Sequence, residues 1–383
     1  MNSAAAWAAV EECPVGVEPL RLGTEFYSKR NLGAVVSSKC RSSLSFNQEE
    51  WNMLRYTCIV MCVIALVGTA AHAQTKRGGS GPFPVIIEGD PGISGQTIYR
   101  PENLSEFNEK NPLPVFAWGN GACMNSNTMY APFLAEIASH GFLVVAIGPY
   151  SAEGLSASGG RGGGMMGGMG GGGTKSAQLL EALDWATAEN KRKDSKYYQK
   201  LDPSKFAVAG HSCGGMQALE VAADPRVSTT LVMDSGLFAG GAPKIGAPKT
   251  GAPKAGAPKE GAPKIGAPKA GGMMMAMPTI GKDHLQKLHG PVVYIDGGES
   301  DMAYSNGEDD YARIDKIPIA IAHFDDVGHG GTYNQPNGGE FGKVAVEWLK
   351  WQLKGDETAK KMFAGSDCGL CKDTKWDYKN KNM

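Results

Sequence analysis

Short runs of consecutive apolar residues, alternating with amphipathic stretches of roughly ten to fifteen residues, constrain this chain more than any other feature. Runs at 83–88, 97–100, 115–118, 142–147, 206–209, 229–233, 292–296 and 317–324 read as strands. Segments 129–139, 176–189, 214–223, 308–316 and 340–354 read as helices; in the second, Leu179, Leu180, Leu183 and Trp185 form most of an apolar face. A strand covered on both sides needs no polar face, so its apolar run is continuous rather than alternating. Strands interleaved with helices imply βαβ units on a mostly parallel central sheet flanked by helices, an α/β fold. The length left after low-complexity tracts and targeting segments suits one such domain over residues 74–383, not two.

Glycine is the apparent obstacle to that reading, with 53 in 383 residues, well above the usual share of about 7%. The excess is confined to two segments. Residues 159–173 read GGRGGGMMGGMGGGG, and 241–270 consist of six tandem GAPKx units. The first follows the strand at 142–147 and the second the strand at 229–233, so both are loop insertions. Repeated proline with glycine gives an extended, partly polyproline-II segment that packs no core. Surface loops accept such insertions at small closure entropy. The repeats carry six lysines and one glutamate, whereas the whole chain has Lys+Arg 38 against Asp+Glu 39, a net charge of -1. That balance excludes a nucleic-acid partner recruited by overall charge. The basic arm reads either as a dock for anionic polysaccharide or as a solvated, neutral expansion.

Residues 53–73 carry a targeting signal. Met53-Leu54-Arg55 supplies a positive start, 58–67 an apolar run, and Ala71-His72-Ala73 a small-x-small cleavage site before Gln74. The run is short of the roughly 18 residues that span a bilayer, so the expectation is secretion without stable membrane insertion. Residues 1–52 then read as a non-native upstream extension or a disordered one, with Met53 as initiator. Of the eight cysteines, Cys123, Cys213, Cys368 and Cys371 follow the cleavage site. Four allow three pairings. The spacing of Cys368 and Cys371, in the polar tail 365–383, favours a short-range disulfide there, leaving Cys123 to pair with Cys213. A thioredoxin-like centre would sit at a strand-to-helix turn, and a four-cysteine zinc site would need a second CxxC pair. Neither condition is met.

Gly210-His211-Ser212-Cys213-Gly214-Gly215 lies between the strand at 206–209 and the helix at 214–223. In that context G-x-S-x-G is a nucleophile elbow: the glycines permit a turn too tight for side chains, and the serine hydroxyl emerges above the sheet. The next amide, Cys213 N–H, then faces a developing oxyanion at the helix N-terminus. A serine needs a base, and the base a carboxylate to orient it. In chain order the acid follows the serine and the histidine comes last. The loop Gly297-Gly298-Glu299-Ser300-Asp301 offers Asp301 as acid, with Asp296 and Glu299 behind it. The loop Asp325-Asp326-Val327-Gly328-His329-Gly330-Gly331 offers His329 as base. His323, inside a strand, reads as structural, His140 as a helix cap and His211 as a brace for the elbow. The second oxyanion donor is expected in Gly119-Asn120-Gly121-Ala122-Cys123, at the Ala122 N–H. A Cys123–Cys213 disulfide would flank both donors and hold them in place.

At this point the chain resembles the α/β-hydrolase superfamily over nearly all of residues 83–355. Gln178-Leu-Leu-Glu-Ala-Leu-Asp-Trp185, Leu201-Asp-Pro203, the GHSCGG elbow and Gly297-Gly298-Glu-Ser-Asp301 are similar to its cutinase/polyester hydrolase and chlorophyllase-like branch. The resemblance implies an α/β-hydrolase fold and a serine carboxylesterase with Ser212, Asp301 and His329 as triad. Two positions depart from the polyester hydrolases: Ala122 stands where an aromatic usually follows the glycine, and Cys213 replaces the common methionine. Both bear on the substrate rather than on ester chemistry. The expected activity is acyl-enzyme hydrolysis of a lipid, wall-linked or polyester-type ester by a secreted monomer, with no metal and no organic cofactor. An acetylhydrolase or peptidase on the same scaffold is the alternative within enzymes. A non-catalytic wall-binding protein using the basic arm is the alternative outside them.

Overall fold

The structure, a computed structural model, describes residues 75–151, 173–239, 277–325 and 327–383. The upstream segment 1–52, the targeting segment 53–73, the GAPKx repeats and all but the last residue of the glycine/methionine tract lie outside the described residues. Among the described residues ten strands form one sheet: β1 (Thr75–Arg77), β2 (Val85–Glu88), β3 (Gln96–Pro101), β4 (Leu113–Gly119), β5 (Leu143–Ile147), β6 (Leu201–His211), β7 (Thr229–Met233), β8 (Val292–Asp296), β9 (Ile319–Phe324) and β10 (Trp376–Lys381). Their order is β1-β2-β3-β5-β4-β6-β7-β8-β9-β10. The block from β5 to β9 is parallel, and β1, β2, β3 and β10 run antiparallel to their neighbours. The fold is therefore α/β with a mostly parallel sheet.

The longer helices are α1 (Ala131–Ser139), α2 (Ala177–Lys191), α3 (Cys213–Val221), α4 (Tyr304–Arg313) and α5 (Gly339–Lys354). Every residue of β4, β5, β7 and β8 is buried, as continuous apolar runs require of strands covered on both faces. Side chains alternate along β4. Val115 and Ala117 join a core with Leu179, Leu183, Met216 and Leu219 of α2 and α3, whereas Phe116 and Trp118 join one with Phe133, Ile137, Phe341 and Trp348 of α1 and α5. Among the described residues no helix is long and apolar enough to cross a membrane.

Three elements depart from the sequence reading. The helix expected at 308–316 is α4 at Tyr304–Arg313. Asp301 accepts the Ala303 N–H at 2.9 Å, and this starts the turn early. Strand β6 begins at Leu201, five residues before the apolar run. Its register against β4 jumps from Asp202 opposite Pro114 to Phe206 opposite Val115, so the polar segment between them bulges out. The polar tail is also ordered by pairing. Trp376–Lys381 runs antiparallel along β9, and its charged residues suit a sheet edge.

The chain leaves β4 towards β5 on one side and later returns to lay β6 on the other. The carboxyl ends of β4 and β6 thus bound the crevice in which open α/β sheets place their ligands.

Candidate active site

Ser212 occupies the sharp turn from β6 into α3 with φ 53° and ψ -115°, a backbone conformation that costs a non-glycine residue about 1–3 kcal/mol. Close packing leaves the turn little choice. A Cβ on Gly214 would overlap the carbonyl of Gly119 at the end of β4, and one on Gly210 would overlap that of Gly214. The ends of β4, β6 and α3 therefore touch backbone to backbone. The Ser212 N–H donates to Met233 O at 2.9 Å, and Ser235 Oγ donates to Ser212 O at 2.7 Å, fixing the turn to β7 and the loop after it.

Two loops from the far side of the sheet meet this turn. His329 lies in a short helical turn, Gly328–Gly330, after β9. Its loop is pinned to the one after β8 by Gly328 N–H to Gly297 O at 3.1 Å, where a side chain on Gly297 would not fit. His329 Nε2 stands 2.9 Å from Ser212 Oγ, and Nδ1 stands 2.6 Å from Asp301 Oδ1. Asp301 only accepts when ionised, so Nδ1 carries the proton and Nε2 is free to take one from Ser212. The Asp301 side chain is 0% exposed and that of His329 25%. Burial opposes ionisation of Asp301, but hydrogen bonds from His329 and the Ala303 N–H outweigh it and hold its pKa below the usual carboxylate range.

The two runner-up acids are elsewhere. Asp296 bonds His323 Nδ1 at 2.5 Å and the Gly298 N–H at 3.1 Å, and Glu299 is exposed. His323 is buried between Asp296 and Glu308, whose Oε1 is 2.6 Å from Nε2. Burial opposes its charge, but the two carboxylates raise its pKa above the ordinary value. His140 is the C-terminal cap of α1, its Nε2 3.0 Å from Glu136 Oε1.

The loop after β4 brings Ala122 and Cys123 into left-handed backbone, φ 52° and 49°. Asn120 holds it by donating from Nδ2 to Met124 O at 2.9 Å and to Ile147 O at 2.7 Å. The Gly121 N–H is taken by Tyr130 Oη at 2.9 Å. Ala122, the donor expected from the sequence, follows in the same turn, and Cys213 stands in the first turn of α3, where a helix has no acceptor of its own for the N–H. Cys123 and Cys213 are disulfide-bonded with Cα atoms 5.3 Å apart, and Cys368 with Cys371 at 5.0 Å.

Sequence reasoning passed over three buried polar groups at this site. Tyr130 Oη donates to His211 Nδ1 at 2.8 Å, and His211 Nε2 donates to His329 O at 2.9 Å. The loop after β4 and the loop carrying His329 are thereby joined through one tyrosine and the residue before Ser212. Burial, and then the neighbouring His329, lowers the His211 pKa to about 4, so the ring stays neutral and can both accept and donate. Asp234 directly follows β7, and its Oδ2 accepts the Tyr333 hydroxyl at 2.5 Å. An acid directly after a parallel strand was a usable signal for Asp234. The tyrosines carry none, because only packing brings them here. Among the described residues no group of three or more His, Cys, Asp or Glu side chains is arranged to hold a metal.

No protein-family model matches the chain, and no curated protein matches it.

Proposed function

We propose that this chain is a serine carboxylic-ester hydrolase of the α/β-hydrolase fold, similar in kind to the cutinase/polyester hydrolase and chlorophyllase-like enzymes. The observation that carries the proposal is the continuous relay Ser212 Oγ, His329 Nε2, His329 Nδ1, Asp301 Oδ1 at 2.9 and 2.6 Å, assembled from three separate loops at the carboxyl end of a parallel sheet. The elbow geometry at Ser212 and the antiparallel β3 beside an otherwise parallel block support the same reading.

In the proposed reaction His329 Nε2 removes the Ser212 proton as Oγ attacks the ester carbonyl. The imidazolium is held by Asp301, and the negative oxygen is met by the amides of Ala122 and Cys213. Collapse expels the alcohol, which takes the proton from His329. Water, deprotonated by the same ring, then cleaves the acyl-enzyme. Among the described residues the large exposed apolar side chains are Met129 and Met302, next in sequence to Tyr130 and Asp301. This favours an ester with an apolar acyl or alcohol part. The two disulfides suit an oxidising compartment, which supports secretion.

A fluorophosphonate probe tests the proposal directly. Labelling of the wild type but not of Ser212→Ala, with turnover of p-nitrophenyl esters lost in parallel, is the expected result. A folded wild type that neither labels nor hydrolyses any ester in a chain-length series would refute it.

A further inference from the structure

Asp234 is fully buried in the wall behind the relay, at φ 43° after the last residue of β7, with its N–H on Ile295 O at 2.9 Å. Its Oδ1 accepts the Gly297 N–H at 3.0 Å and its Oδ2 the Tyr333 hydroxyl at 2.5 Å. Gly297, on Asp234 Oδ1, and Asp301 belong to the same loop after β8, and the Asp301 carboxyl is close enough to act on the ionisation of Asp234. Asp301 Oδ1 is committed to His329 and the Ala303 N–H, whereas its Oδ2 is buried and meets no N–H or O–H donor from the rest of the described protein. Among the described residues neither carboxyl has a lysine or arginine partner, and the His211 ring nitrogen Nε2, 3.8 Å from Asp234 Oδ2, already donates to His329 O. Two buried carboxyls side by side without a cation cannot both stay ionised, so the pair holds a proton. Asp301 faces the ring N–H and is the member that must be ionised. The proton therefore belongs to Asp234.

We propose that Asp234 is a positioning residue of the Ser212–His329–Asp301 relay, an un-ionised carboxylic acid whose O–H donates to Asp301 Oδ2. The inference rests on the relay described above. It explains how an acceptor with no other donor is satisfied, and why a second acid lies against the first without repelling it. When His329 takes the Ser212 proton, the Asp234 hydrogen bond keeps the Asp301 carboxylate oriented to the ring and less basic, so the Nδ1 proton stays on the imidazolium. The Asp234 proton is not transferred. The titratable groups facing Asp234 are Asp301 and Asp296 on the β8 side, Tyr333 and His329 from the segment between β9 and α5, and His211 from β6, with Tyr130 behind it. Burial, and next the charge of Asp301, holds the Asp234 carboxyl well above the usual range, in line with the geometry.

The test combines a spectrum with a pH profile. In infrared spectra at neutral pH, the wild type should show a protonated-carboxyl carbonyl band that Asp234→Asn lacks. Asp234→Asn, which keeps an N–H donor, should retain kcat/KM within about threefold and leave the acidic limb of its pH profile in place. Asp234→Val, which leaves Asp301 Oδ2 without a donor, should lose roughly 10- to 100-fold in kcat with little change in KM. Loss of no band in Asp234→Asn would overturn the proposal. So would a fall of about one unit in its kinetic pKa, because that is the signature of removing a negative charge beside the imidazolium. If Asp234→Val fails to fold, the Asn variant still decides. A wild type without any esterase activity would refute the enzyme reading while the infrared band continued to test the protonation.

Discussion

Replacing both Cys123 and Cys213 by alanine removes a cross-link between the loop after β4 and the first residue of α3. The two are 90 positions apart in sequence, and both are 1% exposed. In the chain-entropy account, opening a loop of that length frees the unfolded state by about 4–5 kcal/mol. Opening Cys368–Cys371, three positions apart, frees it by only about 2 kcal/mol. Against a typical total of about 5–15 kcal/mol, the first loss is severe and the second tolerable. The larger loss also falls on the proposed chemistry. Ala122 and Cys123 both sit in left-handed backbone, each at a cost of about 1–3 kcal/mol, and the disulfide restrains them together with Asn120, Tyr130 and the Thr174 N–H and hydroxyl on Cys123 O. Without it the Ala122 amide is held less firmly, and loss of one oxyanion donor costs at most about 100- to 1000-fold in kcat. The assay is urea unfolding of the wild type and the two double-alanine variants, followed by p-nitrophenyl ester turnover under folded conditions. Intact masses with and without reductant establish that the wild-type bonds are formed. Equal destabilisation by the two pairs, a change below about 1 kcal/mol for Cys123/Cys213, or free thiols in the folded wild type would refute the reasoning.

Two further outcomes are expected. His211 is neutral in the folded state down to pH about 4, whereas in the unfolded chain it takes a proton near the ordinary histidine value of 6.5. Between these values the unfolded state binds more protons, so acidification favours unfolding. The contribution falls by about 2 kcal/mol from pH 7 to pH 5 and levels off below about pH 4. Urea midpoints at the two pH values should show this loss in the wild type and not in His211→Gln; an equal loss in both would remove His211 as its source. Residues on either side of the GAPKx insertion are tied to one buried carboxylate, Leu237 N–H to Asp310 Oδ2 at 2.8 Å and Lys282 Nζ to Asp310 Oδ1 at 2.7 Å. Deleting 241–270 should therefore leave the melting temperature within a few degrees, and comparing salt-sensitive binding to anionic polysaccharide before and after the deletion tests the arm as a dock. A large drop in melting temperature would contradict the tied base, and unchanged polymer binding would dispose of the docking role.

The sequence by itself determined what depends on neighbours along the chain. Continuous apolar runs declared the parallel, doubly covered sheet, because burial on both faces removes the need for alternation. The GHSCGG elbow declared its serine, because only a strand, a tight glycine turn and a helix in succession produce that backbone. Loop position and order nominated Asp301 and His329 among several acids and histidines. Tertiary structure decided which of these meet. Ser212 and His329 are 117 positions apart, Tyr130 and His211 81, and Asp234 and Tyr333 99; such contacts follow from the order in which strands enter the sheet. Tertiary packing also turned a polar C-terminal tail into the edge strand β10, through pairing with β9 that its own charged residues do not announce. It likewise set a second carboxyl against Asp301, where burial rather than residue type decides that only one of the two is charged.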